Sequence, residues 1–334
     1  GPRRAARVHM TRSNPSPLRW IVALTLLGTT AGCGLLRDDQ PATPDANLAD
    51  ADPACPAVPG PPQLELAYAA YPGVDPNLTS LDVYPMVRSP GCPAAPVVVW
   101  IHGGGWAIGD KSQGLRDKVP LWQAAGWAVV SINYRLSPDT PSTDPARVMF
   151  PDHPTDVGAA LAWILAHAAE LELDPDRMAV FGHSAGGHLA ALVSTDPAYL
   201  GAHGLGLDRI RCTGSLDIDA YDIPASLLDA NERQREIFEN AFGTDTAVQR
   251  QASPISHVVA GVGIPPMLVV VRGQEARRAN QESFVAALRA AGIAATTLDA
   301  AGLSHEEVTD HVGADGDTIM TPPVMQFLAD CFAR

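Results

Sequence analysis

The stretch FGHSAGGHLA, Phe181–Ala190, sets a serine among glycines as Gly182-His183-Ser184-Ala185-Gly186, with Gly187 following. The apolar run MAVFG leads into it and the helix-like GGHLAALV leads out. Glycine reaches backbone angles closed to other residues, so it collects where a turn is tight or where two backbones approach closely. A strand that reverses sharply into a helix around a serine presents the hydroxyl on a strained corner. This is the G-x-S-x-G elbow pattern, and it makes Ser184 the first candidate for a catalytic residue.

Working outward, short apolar runs alternate with amphipathic stretches from Gln63 onward. That alternation predicts a mostly parallel sheet flanked by helices, in a single domain. Strands are expected at LELAYAAY, TSLDVYPM, APVVVWIHG, WAVVSINYR, RMAVFGHS, CTGSLDI, PPMLVVVRG and AATTLDA, the first two as an antiparallel entrance. The runs VVVW and MLVVV are continuously apolar, as expected of strands buried on both faces. Helices are expected at PTDVGAALAWILAHAAELEL, AGGHLAALVST, ASLLDANERQREIFENAF, NQESFVAALRAAG and TPPVMQFLADCF. Residues 223–258 are expected to form a helical excursion over the site. A second glycine cluster, His102-Gly103-Gly104-Gly105-Trp106, directly follows the strand VVVWI. Three successive glycines leave backbone N–H groups unobstructed, and beside an exposed serine such a loop supplies donors for a developing oxyanion.

The chain of 334 residues carries a net charge of −14, which argues against nucleic acid as a partner, since phosphate binding needs a basic face. Five arginines and no carboxylate lie within residues 1–32, so the acidic excess belongs to the remainder. This basic stretch is followed by WIVALTLLGTTAGC, with Met10 a candidate start. A charged region, a short apolar run and small residues describe a secretory signal, and the run is too short for a membrane span. TTAGC resembles a bacterial lipobox with Cys33 as the lipidated residue, although Thr30 stands where leucine is more usual; a plain signal cut near Gly32 is the alternative. Residues 33–62, rich in Pro, Ala and Asp, read as a linker. The expected location is the bacterial cell envelope or secretion, with membrane contact only through an N-terminal lipid. Export leaves Cys55, Cys92, Cys212 and Cys331 to pair, and of three pairings Cys55–Cys92 with Cys212–Cys331 is favoured. Neither C-x-x-C nor a zinc-spaced His cluster occurs in the sequence, so no metal and no cofactor are expected.

The combination HGGGW, INYRLSP, FPDHPTDVGAALAWI, DPDRMAVFGHSAGGHLAAL, ASPISHV and LSHEEV resembles the α/β-hydrolase superfamily. Within it, the similarity is to HGGG-bearing carboxylesterases, the hormone-sensitive-lipase-like and kynurenine-formamidase-like enzymes. The resemblance covers residues 63–334, which it makes the catalytic domain, and implies the α/β-hydrolase fold, an eight-stranded, mostly parallel sheet with helices on both faces. It implies chain order serine, acid, histidine, so His305, in an expected loop after the last strand, becomes the general base, with His311 a distant second. Ala185, Gly104 and Gly105 become the oxyanion amides. His183 and His188 are expected to point elsewhere, and His102, Asp156 and His257 to be structural. Trp106 is expected to wall the substrate pocket, with core packing as the alternative. The acid stays open between Asp217, at the end of one strand, and Glu275, just past Gly273 at the end of the next; Asp219 and Asp222 are the remaining choices.

The implied activity is that of a serine carboxylesterase on short- to medium-chain esters, through an acyl-enzyme. The alternative is an arylformamidase acting on a small formamide. A non-catalytic binding protein of this fold usually lacks the serine, the base or the glycine loop, whereas all three are present here. The resemblance carries no oligomeric state.

Overall fold

Seven consecutive apolar residues, Ala95–Ile101, are buried along their whole length. Such a strand must lie inside a sheet covered on both faces. The computed structural model, which describes residues 55–334, builds that sheet from eight strands. A short strand β1 (Ala57–Pro59) precedes β2 (Gln63–Ala67) and β3 (Ser80–Tyr84), and β4 (Met86–Arg88) follows. The continuously apolar strand is β5 (Ala95–Ile101), followed by β6 (Ala128–Ile132), β7 (Leu173–His183), β8 (Cys212–Leu216), β9 (Met267–Val271) and β10 (Ala295–Asp299). The order across the sheet is β10-β9-β8-β7-β5-β6-β3-β2, parallel from β10 to β6 and antiparallel at β3 and β2. Each of the eight expected strands has its counterpart here.

Alternation along β5 sorts its side chains between two cores, since successive residues of a strand face opposite sides. Val97, Val99 and Ile101 pack with α2 (Asp152–Ala166), α3 (Ala185–Thr195) and α8 (Glu275–Ala290). Val98 and Trp100 pack with α1 (Lys118–Ala124), α9 (His305–Asp310) and α10 (Thr321–Phe332). Among the described residues no helix is long and apolar enough to cross a membrane.

Three sequence expectations are corrected. The helix expected over 154–173 stops at Ala166, because Leu173 already belongs to β7 and pairs with Ala95. The helix expected over 225–242 divides into α5 (Ile223–Leu228) and α6 (Glu232–Phe242). The Asn231 side chain accepts from Gln234 N and starts a new helix where a continuous one was expected. The remaining helices are α4 (Ala198–Gly201) and α7 (Thr246–Gln251). The linker also ends earlier than position 62: β1 pairs antiparallel with β4, and Cys55 is bonded to Cys92. The expected signal segment, Cys33 and the linker up to residue 54 lie outside the described residues.

The second disulfide joins Cys212, the first residue of β8, to Cys331 in α10 across 119 positions. Closing so long a loop removes much conformational freedom from the unfolded chain, worth on the order of 4 kcal/mol. The Cys212→Ala/Cys331→Ala variant should therefore melt on the order of 10 °C lower. The measurement is a calorimetric scan beside the Cys55→Ala/Cys92→Ala variant, where the smaller loop should give the smaller drop. An unchanged melting temperature would count against this account.

Candidate active site

Strand order itself creates the crevice. From β5 the chain moves to β6 on one side, and from β7 it moves to β8 on the other. Loops leaving β5 and β7 thus part company above their strand ends, which is where ligands bind in open α/β sheets. The glycine loop follows β5 and Ser184 follows β7.

Ser184 sits at φ 56°, ψ −125°, a conformation strained for any residue with a side chain. What permits the corner is the absence of side chains around it. A methyl on Gly182 would run into the Gly186 carbonyl, and one on Gly186 would run into the carbonyls of Ile101 and His102. The glycines of the elbow pattern are therefore places where backbone touches backbone. Ser184 N donates to Leu216 O at 2.9 Å, which ties the corner to the end of β8.

The next residue of that strand end is Asp217, fully buried and at φ 52°. Its Oδ2 lies 2.6 Å from His305 Nδ1, and His305 Nε2 lies 2.9 Å from Ser184 Oγ. An ionised carboxylate only accepts, so Nδ1 carries the proton it donates to Asp217 and Nε2 is left to accept from the serine hydroxyl. His305 is not in a loop as expected. It is the first residue of α9, whose Ser304 and Glu307 form a reciprocal capping box. The signal for this lay in Ser304-His305-Glu306-Glu307, the S-x-x-E pattern of a helix start.

Asp217 is held from the other side by Arg272 Nη1 on Oδ2 at 2.6 Å and by Arg277 Nη2 on Oδ1 at 2.7 Å. Burial alone would raise its carboxyl. The hydrogen bond with His305 and the charge and hydrogen bonds of Arg277 outweigh that and hold it below the usual carboxylate range. Glu275, the alternative acid, is the exposed first residue of α8, and His305 Nδ1 meets Asp217 instead. Asp219 meets Arg277 at 3.0 Å and accepts from Gln234, while Asp222 caps α5. Sequence reasoning missed the two arginines. The available signal was a pair of basic residues placed around the strand end where an acid was being sought.

His183 was expected to point away and does not. Its ring lies 4.5 Å from that of His305, and burial pushes it down to about 3, so it is neutral and its Nε2–H donates to the His305 carbonyl at 2.9 Å. His188, pushed down to about 4 by burial, donates to Ala252 O and accepts the indole N–H of Trp106 at 3.2 Å. Trp106 is buried, edge-on to Phe238 and Phe242 of α6. It reaches the cavity wall, but its indole is committed to packing and to His188, closer to the core-packing alternative. His102 Nδ1 donates within its own loop to Gly103 O at 2.7 Å, Asp156 holds Arg135, and His257 donates to Gln251 O. His311 pairs with Asp317 at 3.0 Å.

Gly104 has φ 108°, and its carbonyl accepts from Ala107 and Ile108, so the loop curls on itself. A Cβ on Gly103 would stand 3.1 Å from Ser184 Cβ, which brings the loop against the serine. Amides of Gly104, Gly105 and Ala185 donate to no protein acceptor among the described residues. Ser184, His305, Gly104 and Gly105 line one cavity of about 1500 Å³, roofed by residues of α5 and α6 such as Leu228, Gln234 and Ile237. His183, Asp217 and His305 also offer donor atoms within 4.8 Å of one another. A cation there would have to displace Arg272 and Arg277 from Asp217, so these residues do not fit a metal.

Residues 81–203 match the family model described as BD-FAE. The chain is 43% identical over 103 residues to the probable carboxylic ester hydrolase LipM of Mycobacterium tuberculosis, covering 31% of this chain and 22% of that protein. It is 29% identical over 273 residues to the carboxylic ester hydrolase LipN of the same organism, covering 75% and 66%. Esterase LipC is 30% identical over 220 residues, covering 63% of this chain and 52% of its own length. The chain thus spans from about a fifth to about two thirds of these relatives. Among solved structures, esterase B from Lactobacillus Rhamnosis superposes with a TM-score of 0.64 at 20% identity, over 81% of this chain and 86% of that one. The carboxylesterase EstE1, cloned from a metagenomic library, gives 0.60 at 23%, over 83% and 89%. Strand order, elbow and these likenesses agree: the chain has the α/β-hydrolase fold and is similar in sequence to carboxylic ester hydrolases and esterases.

Proposed function

We propose that this protein is a serine carboxylesterase that hydrolyses short- to medium-chain esters through an acyl-enzyme. The observation that carries the reading is the continuous chain Ser184 Oγ, His305, Asp217, with steps of 2.9 and 2.6 Å. Ser184 is the nucleophile and attacks the ester carbonyl as His305 Nε2 takes its proton. Asp217 holds the imidazole in the required tautomer and stabilises its charged form. The amides of Gly104, Gly105 and Ala185 receive the oxyanion, an arrangement that costs no reorganisation during reaction. The same imidazolium then protonates the departing alcohol, and water repeats the sequence on the acyl-enzyme.

The two disulfides are compatible with an exported protein. The reading therefore includes an N-terminal secretory signal with Cys33 as a lipid attachment point. The relatives' names speak of ester hydrolysis, and none of them favours a formamide substrate.

The test is covalent and kinetic together. A fluorophosphonate probe should label the wild-type protein on the peptide containing Ser184, and p-nitrophenyl butyrate should turn over with a higher kcat/KM than N-formylkynurenine. An unlabelled and inactive wild type would remove the esterase reading. A reversed preference would turn it into an arylformamidase.

A further inference from the structure

The acid and base of the site come from strand ends that are not neighbours. Asp217 follows β8, His305 opens α9 after β10, and β9 lies between β8 and β10. The residue directly after β9 is Arg272. We infer that Arg272 is a positioning residue whose guanidinium bridges this gap and fixes His305 relative to Asp217; the inference rests on the serine-hydrolase reading above.

One side of the planar group reaches the acid, with Nη1 2.6 Å from Asp217 Oδ2, the same oxygen that His305 Nδ1 contacts. The other side reaches the histidine segment, with Nε donating to Leu303 O at 2.9 Å, two residues before His305. Its backbone amide donates to Gln281 Oε1 at 2.9 Å, and Gln281 Nε2 donates to Ile218 O, next to Asp217. Arginine is thus anchored at its backbone and spends a rigid fork on two partners whose separation it sets. A guanidinium is preorganised for such a task in a way that an ammonium is not.

Arg277 does a different job. It closes on Oδ1 of Asp217 but divides its charge with Asp219 at 3.0 Å and has no bond to the histidine segment among the described residues. Arg272 pairs with Asp217 alone among the described carboxylates. Its guanidinium is therefore hydrogen-bonded both to the acid and to the segment that carries the base. Because it acts through His305 and not on the substrate, its removal should disturb proton transfer and leave ester binding nearly untouched.

The experiment compares R272A and R272K with wild type and with R278A, a control on the exposed side of α8 that pairs with Asp299 and Glu282. Folding is followed by thermal melts. For p-nitrophenyl butyrate, R272A should lose at least about 10-fold in kcat with KM changed less than about 3-fold, since positioning effects fall on the chemical step. R272K should recover part of that loss but not all, because one ammonium cannot span Asp217 and Leu303. R278A should keep wild-type kcat. Wild-type kcat in folded R272A, or a loss confined to KM, overturns the bridge. If R272A does not fold, R272K decides: a kcat at wild-type level overturns the inference and a fall of about 5-fold or more at constant KM supports it. A wild type that fails to label with fluorophosphonate would instead defeat the serine-hydrolase reading, so the two failures are separable.

Discussion

Ser184→Ala should lower kcat/KM for p-nitrophenyl butyrate on the order of 10⁴-fold while the melting temperature stays within a few degrees of wild type. Loss of a nucleophile that works as a unit with its base removes nearly all covalent catalysis. Alanine occupies the same strained φ of 56° no worse than serine does, so the corner persists. Asp217→Asn should cost about 10³- to 10⁴-fold, because an amide can present its N–H to His305 and select the wrong tautomer. Unlike the serine variant it should also be less stable by about 3 kcal/mol or more, since Arg272 and Arg277 both lose a buried anionic partner. Glu275→Gln should stay within about 2-fold of wild type on every measure. Activity surviving in Asp217→Asn, or vanishing in Glu275→Gln, would show the acid assignment to be mistaken.

Acid should unfold this protein well above the pH at which carboxylates titrate. Among the described residues four histidines are buried and neutral: burial pushes His102 and His188 down to about 4 and His153 and His183 down to about 3, from an ordinary 6.5. In the unfolded chain each takes up a proton near 6.5, and in the folded chain it does not. Stability is therefore complete above about pH 6.5 and falls as pH drops from there, the loss levelling off near 4 for His102 and His188 and near 3 for His153 and His183 as the folded rings protonate. At pH 5 each group costs about 2 kcal/mol, and the four together on the order of 8 kcal/mol. Asp217 adds a loss of the same sign at still lower pH, because its folded carboxyl is depressed. Urea unfolding between pH 8 and 4.5 should show this slope. His153→Gln, which removes one such proton from a ring bonded to Ser137, should flatten it by about a quarter. A midpoint that does not move between pH 7 and 5 would falsify the account.

The fold was legible because its signals are local. Continuous apolar runs such as Val97–Val99 and Met267–Val271 are what a doubly covered strand requires, and the glycines about Ser184 mark backbone contact that no side chain permits. The serine and the glycine loop could be found for the same reason. The acid could not be fixed because Asp217 and Glu275 both follow strands at the same edge of the sheet. What separates them is burial and the direction of a side chain, which depend on packing between β8, β9 and α8. His183 was misread because one position before Ser184 suggests the opposite direction, yet the sharp corner turns its ring onto His305. Arg272 carried a basic residue's ordinary appearance, and only the strand order gives it two partners 31 and 55 positions away.

The Cys212–Cys331 bond closes a ring of chain that contains Asp217, Arg272, Arg277 and His305, while Ser184 and the glycine loop lie outside it. In the proposed mechanism the proton-handling half of the site is thereby covalently enclosed, and the attacking half is not. A single protease nick in the exposed turn around Val259–Val262 would leave both fragments tethered through sulfur, with every catalytic group still on one molecule. Only a nick followed by reductant would set the C-terminal piece, and the histidine with it, adrift.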